Sequence, residues 1–189
     1  MPTRVKDILF GTLAPSEKGP AMSQLELSRD GAREAETLAV TDTPAVDDSE
    51  KVARVLEHPI QVDLSKVDLA RDLYYTPSAF RDVYVRGLSI QRLSIASVDE
   101  VENFGRKRAE ERGKKYLGIT VANVAQIRTF QQEGRSLLSV YATCMADFLA
   151  HADVFSHVTL TPAEKETVKY IFWELFDCRE LVKEHLAAV

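Results

Sequence analysis

Fourteen of the 15 aromatic side chains lie between Tyr74 and Phe176, and the remaining one is Phe10. Residues 11–73 therefore run for 63 positions without an aromatic ring. Rings bury the largest areas per side chain, so such a stretch adds little to a hydrophobic core. Charge divides at the same place: residues 1–73 carry 14 acids and 9 bases, while residues 74–189 carry 15 of each. The net charge of −5 thus belongs to the N-terminal part. The chain reads as an extended polar and acidic arm over 1–73 and a folded body over 74–189.

Within the arm, residues 14–50 are linker-like, with Pro15, Gly19, Pro20, Gly31, Pro44 and the run Asp47-Asp48-Ser49-Glu50. Val52, Val55 and Leu56 have helical spacing up to Pro59, after which Ile60, Val62 and Leu64 alternate like a short strand. An apolar anchor stands at the start: Val5, Ile8 and Leu9 at i, i+3, i+4, with Phe10 beside them. One turn is not stable alone in water, so these four side chains predict a docking segment covered by a neighbouring subunit or by the chain's own body, the neighbour being favoured by the length of the linker.

The body reads as mainly α, a bundle of three or four helices with a small β element at about 83–95. Two helix starts are explicit. Ser97-Val98-Asp99-Glu100 and Thr161-Pro162-Ala163-Glu164 are capping boxes, in which an N-cap hydroxyl and an N3 glutamate satisfy orphan N–H groups reciprocally. The first predicts a helix to about Tyr116. The second opens the stripe Val168, Ile171, Phe172, Leu175, Val182 and Leu186, with Trp173 off the stripe and facing a partner. Between them, Val124, Ile127, Leu137, Leu138, Tyr141, Cys144, Met145, Phe148 and Leu149 predict a long helix from near Thr120.

Two cysteines, Cys144 and Cys178, without a CxxC pair read as a reducing, cytoplasmic setting. Each stands seven residues before a histidine, His151 and His185. Seven residues of helix span about 10.5 Å, too far for one zinc ion with ligands at about 2.0–2.3 Å; no metal and no cofactor are expected. The longest apolar window, Leu137 to Leu149, is short and carries Asp147, so no membrane partner is expected.

Two patterns carry candidate chemistry. Arg106, Lys107, Arg108, Arg112, Lys114 and Lys115 place six bases within ten residues, a candidate contact for phosphate or another anion. No aromatic interleaves them for base stacking. Partners at i,i+4 (Glu102–Arg106, Lys107–Glu111, Glu110–Lys114, Glu111–Lys115) also suit a solvated helix, and nucleic acid is not the expected ligand. The second pattern is Arg179-Glu180-Leu181-Val182-Lys183-Glu184-His185. Its arginine-to-histidine spacing resembles the motif of HEPN ribonucleases. That resemblance implies an α-helical bundle, usually dimeric, in which Arg179 and His185 act on RNA phosphodiesters. Glu180 departs from the small polar or amide residue common at that place in the family.

The reading as a whole is a non-enzymatic structural or interaction subunit of a larger assembly, homo- or hetero-oligomeric, whose arm docks on neighbouring subunits. A phage or virus particle is one home for such a design. The alternatives are the HEPN-like ribonuclease and an acidic helical regulatory or chaperone module.

Overall fold

β1 (Lys51–His58) opens the body, with Val52, Ala53 and Leu56 fully buried. The computed structural model describes residues 43–68, 73–74, 80–84, 87–132, 135–145, 147–156, 160–178, 181–182 and 185. After β1 come two short strands, β2 (Val67–Asp68) and β3 (Leu73–Tyr74), then β4 (Leu88–Arg92), α1 (Val98–Glu111) and β5 (Lys115–Asn123). A five-residue helix α2 (Val124–Arg128) and the short strands β6 (Gln131–Gln132) and β7 (Arg135–Ser136) lead to β8 (Leu138–Tyr141), β9 (His151–Ser156) and α3 (Pro162–Leu175). Five strands form one antiparallel sheet in the order β5-β1-β4-β9-β8.

This corrects the expectation of a mainly α helical bundle. Among the described residues there are three α-helices, packed around a sheet. Val52, Val55 and Leu56, expected on a helix of the arm, belong to β1, which is paired on both sides. The long helix expected from Thr120 to Leu149 is instead the end of β5, the short α2, and β8. Val83, expected on a strand, lies in a 3-10 turn (Arg81–Tyr84), and among the described residues of the 83–95 element Leu88–Arg92 are extended. The physical cause is two-sided burial. Every residue of β8 and of β9 is buried, and a strand covered on both faces loses the alternation that identifies it in sequence. Ile119, Thr120 and Val121 add β-branched side chains that favour the strand.

Both expected capping boxes form. Ser97 Oγ accepts from Glu100 N at 3.3 Å while Ser97 N donates to Glu100 Oε2 at 2.8 Å, and Thr161 with Glu164 repeats the arrangement. α3 starts where expected and buries Val168, Phe172 and Trp173. α1 ends at Glu111 rather than Tyr116, because Gly113 takes φ +61° and turns the chain into β5.

The main core contains Val52, Leu56, Leu88, Ile90, Val140 and Val154 of the sheet with Phe172, Trp173 and Phe176. Phe80, Phe130, Phe172 and Phe176 stack there, with centroids 5.5–6.2 Å apart. A smaller core of Ala53, Ala96, Val101 and Ala150 has Val55 and Ile119 packed against it, and α1 covers it. Residues 43–50 are fixed to the body. Arg92 donates to Glu50 through Nε (2.9 Å) and Nη2 (2.6 Å) and to the Pro44 carbonyl through Nη1 (2.7 Å). Arg128 donates to Asp48 Oδ1 (2.6 Å) and to the Val46 carbonyl (2.9 Å). No described helix is long and apolar enough to cross a membrane.

Candidate functional site

β1 and β4 pair at two positions only, Val52↔Arg92 and Ala53↔Gln91. Beyond Ala53, β1 continues its pairing with β5 and β4 continues with β9, so the sheet opens between them. Backbone polar groups left by a broken ladder need other partners. One is supplied by a side chain: Arg54 Nη1 donates to the Ser89 carbonyl at 2.7 Å. The opening forms a cleft of about 230 Å³, lined from β1 by Arg54, Val55 and Glu57 and from β4 by Ser89 and Gln91.

α1 closes it from one side. Phe104 and Arg108, followed by Arg112 beyond the helix end, recur every four residues and line the cleft. The neighbouring stripe Val101, Gly105 and Ala109 is buried against the sheet. Gly105 sets how close the helix comes, since a Cβ there would lie 2.8 Å from the Tyr116 ring and 2.9 Å from Val55. Across the opening, Gly87 takes φ +94°, and a Cβ on it would meet the Phe155 ring at 2.4 Å.

The polar groups of the cleft are unevenly satisfied. Arg112 Nη1 reaches Glu57 Oε1 at 3.4 Å. Glu57 Oε2 and Gln91 Oε1 are buried and have no hydrogen-bond partner among the described residues; the two residues are 3% and 4% exposed. A buried acceptor left without a donor costs about 1–3 kcal/mol. Arg108 is half-buried; Nη1 reaches the Met145 thioether at 3.9 Å, and the guanidinium lies 5.3 Å from the Phe104 ring centroid. Burial pulls the Arg108 pKa below its ordinary value, the Arg112 charge adds to this, and Asp147, Glu57 and Glu111 oppose it. Burial likewise lowers Arg54, against the pull of the Asp82 and Asp153 carboxylates.

Comparison with protein-family models, with curated proteins and with solved structures finds no match to this chain.

Behind Ser89 the sheet holds a buried polar row. Ser89 pairs with Asp153 and Gln91 with His151 across β4 and β9. Ser89 Oγ donates to Asp153 Oδ1 at 3.3 Å, and Thr143 Oγ1 donates to Asp153 Oδ2 at 2.6 Å. The threonine has one proton to give, so its 2.9 Å contact with His151 Nδ1 makes that nitrogen the donor. The row thereby fixes Ser89, whose carbonyl holds Arg54 in the cleft.

The basic run divides. Arg108 and Arg112 line the cleft. Arg106 lies elsewhere, bonded to Glu102 at 2.9 Å and 4.6 Å above the Tyr116 ring. Lys107 and Lys115 are exposed, and Lys114 is half-buried. Of the four expected i,i+4 pairs, Glu102–Arg106 is the one formed among the described residues. Trp173 is 3% exposed, within the main core. His185 is half-buried and bonded through Nε2 to the Leu117 carbonyl, which sits where the β1–β5 register slips. Arg179, Val5, Ile8, Leu9 and Phe10 lie outside the described residues. Cys144 shares a hydrogen bond with Thr43 Oγ1 at 2.9 Å, and burial pushes the Cys178 thiol up to about 12.

Arg54, Glu57 and Gln91 were not singled out from sequence. Arg54 and Glu57 do carry a signal, two charged side chains inside the apolar run from Val52 to Leu56 and its continuation. A charge in a buried strand is costly unless the fold uses it.

Proposed function

We propose that this protein is a binding module for a small anionic molecule, held in the cleft between β1, β4 and α1 by Arg108 and Arg112. The observation that carries this reading is Arg108. Its guanidinium is half-buried with a thioether and an aromatic face as its close contacts, and no carboxylate lies within ion-pair distance among the described residues. A desolvated cation of this kind gains from an anion far more than a solvated one does. The lining holds three arginines, Arg54, Arg108 and Arg112, beside two carboxylates, Glu57 and Asp82.

Calorimetric titration with acetate and with inorganic phosphate tests it. Both anions should bind at millimolar concentrations. Arg108→Met, which keeps the length and packing of the side chain, should weaken them by about tenfold to a hundredfold, the worth of a charged hydrogen bond. Equal affinity in the variant would remove Arg108 from the site.

A second reading, an assembly subunit whose arm docks on neighbours, is favoured by the clamping of residues 43–50 through Arg92 and Arg128. That clamp anchors the root of the arm, and the anchor Val5, Ile8, Leu9 and Phe10 stands at its far end. Sedimentation velocity on the full chain should show concentration-dependent association that Ile8→Asp with Leu9→Asp abolishes without moving the thermal melt. A monomer at every concentration would end this reading.

A further inference from the structure

The cleft holds acceptors as well as arginines, and the acceptors narrow the ligand. Resting on the reading of the cleft as an anion site, we infer that its ligand is a small hydroxylated anion, whose charged group meets Arg108 and Arg112 and whose hydroxyl donates to Gln91 Oε1, a second hydroxyl where the ligand has one donating to Glu57 Oε2. Gln91 and Glu57 line the cleft, and these two oxygens are buried with no hydrogen-bond partner among the described residues. An anion without a donor, such as acetate, answers the arginines and leaves both acceptors unsatisfied. An ammonium group would answer the acceptors but would stand beside the like charges of Arg54, Arg108 and Arg112 in the same lining. A hydroxyl group, with one proton to give, answers one acceptor while the anionic head meets the arginines. The cleft volume of about 230 Å³ lies below the range of about 300–1,000 Å³ that drug-sized ligands occupy, so the ligand has few heavy atoms. A hydroxy carboxylate and a phosphorylated polyol share this chemistry.

Matched pairs test it on the full chain by calorimetry: glycolate against acetate, which differ by one hydroxyl, and glycerol phosphate against methyl phosphate. A site that hydrogen-bonds a ligand hydroxyl rejects the analogue lacking it, here by about tenfold or more. The pair with the larger ratio identifies the head group as carboxylate or phosphate. Gln91→Leu should bring that ratio close to one. Equal affinities within both pairs in the wild-type protein would overturn the hydroxylated ligand while leaving the anion site standing, and that comparison needs no variant to fold. If none of the four anions binds, the anion site fails and this inference with it.

Discussion

Arg92 and Arg108 show how burial gives one residue type two fates. Arg92 is 1% exposed and fully engaged: Glu50 takes two of its N–H groups, and the Pro44 and Ala45 carbonyls take others. Glu50 also accepts from Ser94 Oγ and from Asp47 N. Burial alone would raise the Glu50 pKa, but the hydrogen bonds from Arg92, Ser94 and Asp47, with the Arg92 charge, outweigh it and hold the carboxyl below the ordinary glutamate value. A carboxyl whose pKa is depressed by folding stabilises the fold above its unfolded value, and that contribution is lost as pH falls through the folded value. Acid unfolding of the wild type should therefore steepen below the ordinary glutamate range, and Glu50→Gln should flatten that limb in pH-dependent melts. Arg92→Met leaves Glu50 buried and unpaired and should cost about 3–5 kcal/mol near neutral pH. A loss under about 1 kcal/mol, the scale of a surface pair, would mean that the clamp on residues 43–50 contributes little.

Elements were legible in the sequence where their ends carry chemistry. Ser97 with Glu100 and Thr161 with Glu164 announce helix starts through side chains that have no comparable use elsewhere, and both stand in the structure. The strands carry no such punctuation. In β8, Leu138, Ser139, Val140 and Tyr141 are all buried, so apolar positions spaced for a helix and for a two-sided strand look alike. β1 was hidden by its neighbourhood, because it follows a polar tract and has no ring of its own. Its partners, β5 and β4, lie more than 30 residues further along, and local pattern does not report pairing across that distance. Two residues of the cleft were visible, since Arg108 and Arg112 sit in the basic run. Glu57 and Gln91 became site residues only when the sheet brought them together. α1 gives an element-scale test. An exposed Gly→Ala change within a helix gains about 1 kcal/mol, but at Gly105 the added methyl meets Val55 and Tyr116 inside 3 Å. Gly105→Ala should therefore destabilise by about 1–3 kcal/mol, as overpacking does, and should weaken anion binding by lifting Arg108 off the cleft. A stabilised variant with unchanged binding would show that the helix has room to move.

At the scale of the molecule, the cleft exists because one sheet is shared by two ladders that part. β1 stays with β5, β4 stays with β9, and α1 spans the opening with Phe104, Arg108 and Arg112 turned toward it. The polar row of Ser89, Asp153, Thr143 and His151 stiffens the β4 side, and the arginine clamps tie residues 43–50 across the opposite end of β4 and α2. A preformed cleft binds without first ordering its lining, which preserves affinity for a small ligand. Where an anion lands therefore decides whether the cleft is the site. The direct measurement is a side-chain arginine ¹⁵N–¹H spectrum of the full chain, with Arg54, Arg106, Arg108 and Arg112 assigned by substitution and glycolate added stepwise. Arg108 and Arg112 signals should shift together and saturate, with Arg106 unmoved on the outer side of α1. Saturating shifts at Arg106 with Arg108 silent would contradict the account, because the anion would then bind the solvated face of the helix and not the cleft.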